Sequence, residues 1–330
     1  MARDIADTEF SPGVRRMLAL VGSECSSFDH GRQQMELLAD LEVTAKAVER
    51  VTETIGADIA RCQQQAIQQT MQLELPVAVG QPISKIYVQM DGTGLPMVAK
   101  ETAGRSGKGE DGRAHTREAK LGCVFTQTTV DDQGRPLRDE ASTTYTGAIE
   151  TAAEFSRRIY TEAHQRGWGR AQVNVVMGDG ADWIWNICQE QFPGAIQIVD
   201  LYHARQHLWD LGGKLHPTDQ RSKQKWVPAH QRLLDKGKIE KLVAKLRTLA
   251  SENPELAAAV HTEANYFERN AERMALSEVP QAKPLCGIRR RRGWMQNRNG
   301  VSPQALWHVL DRSRSQRRYR APLLSPQPPV

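Results

Sequence analysis

The chain has 330 residues, 39% hydrophobic and 25% charged, with a formal net charge of +5 at pH 7. That composition fits about two globular domains, or one large elaborated domain, with a sizeable core. It excludes a membrane helix, which needs roughly 18 apolar residues in a row, and argues against a secretory leader. The five cysteines, at 25, 62, 123, 188 and 286, form no CxxC pair. They point away from a disulfide scaffold or zinc module and towards a reducing cytoplasm.

Residues 1–80 read as helical. Leu37, Leu38, Leu41 and Val43 lead into Ala47, Val48, Val51, Ile55 and Ile59 at helical spacing. The pattern breaks at Asp40-Leu41-Glu42-Val43, and Thr44 is a good N-cap for the next helix. Helix, short turn, helix fits either a plain helical hairpin or a helix-turn-helix DNA reader. In the second reading Lys46, Glu49 and Arg50 lie on the outer face, with Lys46 and Arg50 as DNA contacts. A Gln-rich helix follows over Gln63 to Gln72, and the Pro-Val-Ala-Val-Gly-Gln-Pro stretch marks a boundary near residue 80.

Over 81–205 the period changes. Strands are predicted at Lys85–Met90, Leu121–Val130, Ala141–Tyr145, Asn174–Met177 and Ala195–Val199, and helices at Ala148–Arg166 and Ala181–Gln191. Strands first, then strands alternating with helices, gives an α/β layout with a mixed sheet. Residues 206–274 read as all-helical: Ile239, Leu242, Val243, Leu246 and Leu249 form a stripe, broken at Asn253-Pro254. Residues 275–330 carry ten Arg and one Lys against two acids, a charge of +9, together with seven of the sixteen prolines. The remaining 274 residues therefore carry −4. By composition the tail is disordered, and such asymmetry ordinarily marks a nucleic-acid-binding extension.

Two aspartates carry the candidate chemistry. Asp91 and Asp179 each follow an apolar strand and precede a glycine. A carboxylate at a strand end is held rigidly, and glycine permits close approach. Two carboxylates on neighbouring strands can hold Mg²⁺ or Mn²⁺ for phosphoryl transfer. Taken singly, each Asp-Gly is equally a turn. The motifs Asp91-Gly92-Thr93 and Gly178-Asp179-Gly180-Ala181-Asp182 also mimic those of haloacid-dehalogenase-like phosphatases. The nucleophile of that family would fall at Gln89, and an amide cannot form an aspartyl-phosphate.

The runs YVQMDGTG, GKGEDGRAHTREAKLGCVFTQ, GDGADWIWN and IVDLYHARQHLWDL resemble DDE insertion-sequence transposases of the ISKra type, from about residue 10 to Met274. Asp200-x-x-His203 also resembles an element of Mutator-like transposases. The resemblance implies a ribonuclease-H-like mixed sheet in 81–205, with a helical N-terminal region and an all-helical insertion in 206–274. Asp91 and Asp179 become the first two acids of a metal-binding triad. His203 would lie near the site, orienting substrate or a metal-bound water, or would only cap the fifth strand or be a satisfied buried histidine. The implied partners are DNA, as element ends and target, and further copies of the chain; the implied location is the cytoplasm, at the nucleoid. The basic segment Lys100–Lys120 (Arg105, Lys108, Arg113, Arg117, Lys120) would grip phosphates, or be a solvated loop, since Glu101, Glu110, Asp111 and Glu118 lie within it. Trp183 and Trp185 read as core.

After Met274 the resemblance stops. The family continues with a third-acid helix of the form SGVVEAGC, then SGMFW and RGANA, none of which is present. Codons for Ala275 onward, read one base later, permit all three, with the missing Glu codon spanning Arg292 and Gly293. The tail is accordingly expected to be an out-of-frame product of one inserted base near Met274, and the chain to be catalytically defective. A programmed frameshift that also yields a full-length product is the alternative.

Overall fold

The computed structural model describes residues 10–72, 80–97, 99–107, 112–132, 136–139 and 142–274. Residues 275–330, where an out-of-frame tail and the third-acid position at Arg292 and Gly293 are expected, lie outside the described residues, as does Lys108.

Three helices open the described chain, α1 (Pro12–Glu24), α2 (Phe28–Ala39) and α3 (Ala45–Met71). Each starts on a hydroxyl cap: Ser11, Ser27 and Thr44 accept from the amides of Val14, His30 and Ala47. Asp40 ends α2 in the left-handed region at φ 52°, which reverses the chain before Thr44. Leu18, Met35, Val48 and Val51 form the core of this bundle. Leu37 and Leu38, grouped with the apolar pattern above, instead point outward at 76% and 77% exposure, because the buried face of α2 runs through Gly31 and Met35. The Gln-rich segment is no separate helix but the last turns of α3, anchored by buried Ile67 and Thr70.

The central sheet is built from β1 (Ile83–Pro96), β2 (Thr116–Thr126), β5 (Thr144–Ala148), β6 (Ala171–Gly178) and β7 (Ile196–Val199). Between them lie α4 (Ala99–Thr102), a small ribbon of β3 (Thr129–Val130) and β4 (Pro136–Leu137), α5 (Ala152–Gln165) and α6 (Asp182–Gln191). The strand order is β5-β2-β1-β6-β7, antiparallel across β5, β2 and β1 and parallel across β1, β6 and β7. The α/β class with a mixed sheet is thus present, but the limits of several elements move, and the helix expected from Ala148 starts at Ala152. The second strand begins at Thr116 rather than Leu121 and stops at Thr126; the third lies at Thr144–Ala148; and β1 does not end at Asp91 but runs on to Pro96. Long pairing with β2, Asp91 opposite Leu121 and Gly92 opposite Lys120, sustains that extension.

Helices α7 (Leu201–Leu215), α8 (Gln220–Asp235), α9 (Ile239–Glu252), α10 (Ala257–Arg269) and α11 (Ala271–Met274) complete the described chain. Helix α7 crosses residue 205, where the composition changes. Its Leu208 and Leu211 share one core with Leu242 and Phe267 of the later helices and with Ile86, Val88 and Val176 of the sheet. The helical region therefore shares one continuous core with the sheet.

Asp139, beside the small ribbon, accepts from the Thr126 hydroxyl at 2.6 Å and from the Thr128 amide and hydroxyl. Burial alone would raise its carboxyl, but these donors outweigh it and hold the group below its ordinary value. A depressed folded-state value contributes stability above the ordinary carboxylate range that is lost as pH falls through the folded value. Urea unfolding followed from neutral pH down to about pH 3 should show Asp139→Asn flattening the acid side of the stability profile. An unchanged profile would remove Asp139 from the acid response.

Candidate functional site

Parallel pairing carries the two candidate acids to one edge. Gln89 of β1 aligns with Met177 of β6, so Asp91 and Asp179 each stand two residues beyond that aligned pair. Gly178 aligns with Val199 of β7, so Asp200 is next in the row. The Asp200 amide donates to the Gly178 carbonyl at 2.7 Å, which fixes that step. Crevices beyond the carboxyl ends of parallel strands are where open α/β sheets place ligands. Extension of β1 does not remove Asp91 from this edge, because only its β2 side continues past Gln89.

Asp91 is 5% exposed, and its Oδ2 lies 3.8 Å from His203 Nε2 in the first turn of α7. His203 therefore lies at the site. Asp200 caps α7, its Oδ1 accepting from the Tyr202 amide at 2.8 Å. Asp179 is half-buried and accepts from the Ala181 amide at 2.9 Å. Gln89 donates to Asp200 Oδ2 at 3.4 Å, so the amide in the phosphatase nucleophile's place links β1 to β7.

One part of the site lay beyond sequence reasoning. It is Tyr266 on α10, whose hydroxyl donates to the Asp179 carbonyl at 2.7 Å. Burial, together with Asp179, Asp200 and Glu263, pushes that phenol far above its ordinary value, so it stays a donor. His207 stacks on the Tyr266 ring at 3.9 Å and meets Glu263 Oε2 at 2.7 Å. No local pattern joins residues 179 and 266. Glu118 lies over Gly92, on the sheet face that alternates away from Asp91, and pairs with Lys120.

The predicted DNA contacts separate. Arg117 and Lys120 are buried at 9% and 6% exposure, and Lys120 lies 5.2 Å from the Trp183 ring centroid. They are therefore not part of a solvated basic loop. Arg105 and Arg113 are exposed. With Arg117, Lys120, Glu118 and Glu150 nearby, Arg105 lines a mixed-charge cleft of about 310 Å³. Lys46, on α3, is exposed and paired with Glu49, and Arg50 lies one residue further on. Trp185 is buried and Trp183 half-buried against the same core.

Asp91 and Asp179 supply two carboxylates, but among the described residues no three His, Cys, Asp or Glu side chains converge as a metal would require. Asp200, the nearest further acid in register, already engages both oxygens with Tyr202 and Gln89. The described residues thus do not complete a divalent-cation site. Neither a protein-family model nor a curated protein matches this chain.

Proposed function

We propose that this chain is by descent a DDE transposase of an ISKra-type insertion sequence, whose intact form cleaves DNA and joins it to a target with Mg²⁺ or Mn²⁺. With its altered C-terminus the 330-residue chain binds DNA and does not complete the chemistry. The observation that carries this reading is the register that sets Asp91 and Asp179 side by side at the end of the parallel strands, with His203 against Asp91. The strand order, antiparallel then parallel, supports a ribonuclease-H-like core. The second half of the proposal, a DNA-binding remnant that competes with an intact enzyme, rests on the resemblance stopping after Met274. Action at the nucleoid and assembly with further copies belong to the same reading.

The test begins with the coding DNA. One extra base is expected near the Met274 codon, with the shifted frame encoding SGVVEAGC. The 330-residue chain should bind DNA flanking its gene without nicking it in Mg²⁺ or Mn²⁺. Removing the base should restore nicking, and Asp91→Asn in the restored chain should lower the rate at least about a hundredfold. A restored chain that cuts equally well without Asp91 would sink the proposal. So would a shifted frame that is closed by stops.

A further inference from the structure

Helix α7 leads away from the acid edge, α8 packs back along α7, and together they are strongly basic. Residues 201–236 hold seven Lys or Arg against three Asp, while residues 1–274 as a whole are net negative. Ala204, Leu208 and Leu211 bury one side of α7. The opposite side presents Tyr202, Gln206 and Trp209, four and then three residues apart and so on one face. Tyr202 is 54% exposed and Trp209 40%. Lys223 reaches across from α8 to within 5.5 Å of the Trp209 centroid, so cation and indole are presented together. At the other end, the Tyr202 ring meets the His203 ring edge-on at 5.9 Å, and His203 faces Asp91.

Exposed aromatic faces in a row, set among cations, suit a ligand that offers flat apolar rings on an anionic backbone. A base-paired duplex hides its ring faces, whereas a single strand offers them. We propose that the α7 stripe of Tyr202 and Trp209, flanked by Lys223, is a stacking platform for single-stranded DNA leading to the Asp91 edge. This deepens and rests on the transposase reading, but it predicts binding that needs neither metal nor cleavage.

The test is anisotropy of a fluorescein-labelled oligodeoxythymidine, and of a duplex of equal length, titrated with the full chain. The strand should bind tighter than the duplex. Trp209→Ala and Tyr202→Ala should each weaken strand binding about tenfold, with an unchanged melting midpoint because both rings are exposed. Lys223→Gln should lower the salt slope by about one. Unchanged affinity in the Tyr202→Ala, Trp209→Ala double variant would overturn the platform, as would equal affinity for strand and duplex. Strand binding through the stripe, in a frame-restored chain that never cuts DNA, would sink the catalytic proposal alone. Cutting that ignores both aromatic substitutions would sink the platform alone.

Discussion

Glu150→Ala is expected to cost about 3–5 kcal/mol, a large part of the stability of a typical domain. Glu150, at the entry to α5, holds Arg158 on that helix through two parallel bonds, Nε to Oε1 at 2.5 Å and Nη2 to Oε2 at 2.8 Å. Both side chains are nearly closed to solvent, at 7% and 9% exposure. Such a pair gains little over an apolar one, because each charge loses its water; removing one partner strands the other. The third arm of Arg158 donates to Gln63 on α3 at 2.9 Å, so the same guanidinium joins the N-terminal helices to the sheet layer. Urea unfolding should show Glu150→Ala far below the parent. The Glu150→Met, Arg158→Met double variant should fall much less, since no charge is then left buried. A loss under about 1 kcal/mol in the single variant would mean that water reaches the guanidinium.

Gly180→Ala should cost about 2–5 kcal/mol and disturb the site at the same stroke. Gly180 sits at φ +105°, where a side chain is strained, and a Cβ would stand 2.6 Å from the Tyr266 ring and 3.2 Å from Asn270 Nδ2. The strain resides in the backbone next to Asp179. Relief of the contact requires Tyr266 to leave the Asp179 carbonyl, which would loosen α10 from the end of β6. Tyr266→Phe separates the two effects, because it removes only the hydroxyl and should cost about 1 kcal/mol. Thermal melts of both variants decide the matter. Parent-like melting of Gly180→Ala would show that the α10 contact gives way freely.

Much of this architecture is local and therefore readable along the chain. Thr44 and the left-handed Asp40 fix the α2–α3 turn by side-chain and backbone bonds within a few residues. The Thr151 and Glu154 capping box starts α5 at Ala152, four residues after the Ala148 start read from the apolar pattern, because residues 144–148 pair as β5. Apolar runs such as Asn174–Met177 become strands because only a sheet buries them on both faces. The two Asp-Gly steps mark the right edge of the sheet, since β6 ends before Asp179 and the parallel pairing of β1 ends before Asp91.

What the chain alone could not disclose depends on partners far away in sequence. Strand β1 outruns its apolar segment because β2 pairs with it as far as Pro96, and pairing energy overrides local propensity. Leu37 and Leu38 carry the right residue type, but only the docking of α1 and α3 decides which face of α2 is inside. Arg117 and Lys120 lie in a segment that read either as a phosphate grip or as a solvated loop, yet β2 carries both and buries them, with Trp183 against Lys120. Hydrophobic period and local caps such as Thr44 made the helical N-terminal region, the alternating strands and helices and the helical region after them readable, through interactions spanning a few residues. Tertiary structure alone decided that Asp91, Asp179 and Asp200 stand in one row and that Tyr266 props the middle one. Strand register and helix docking are set by burial summed over the whole core, which no short stretch of chain contains.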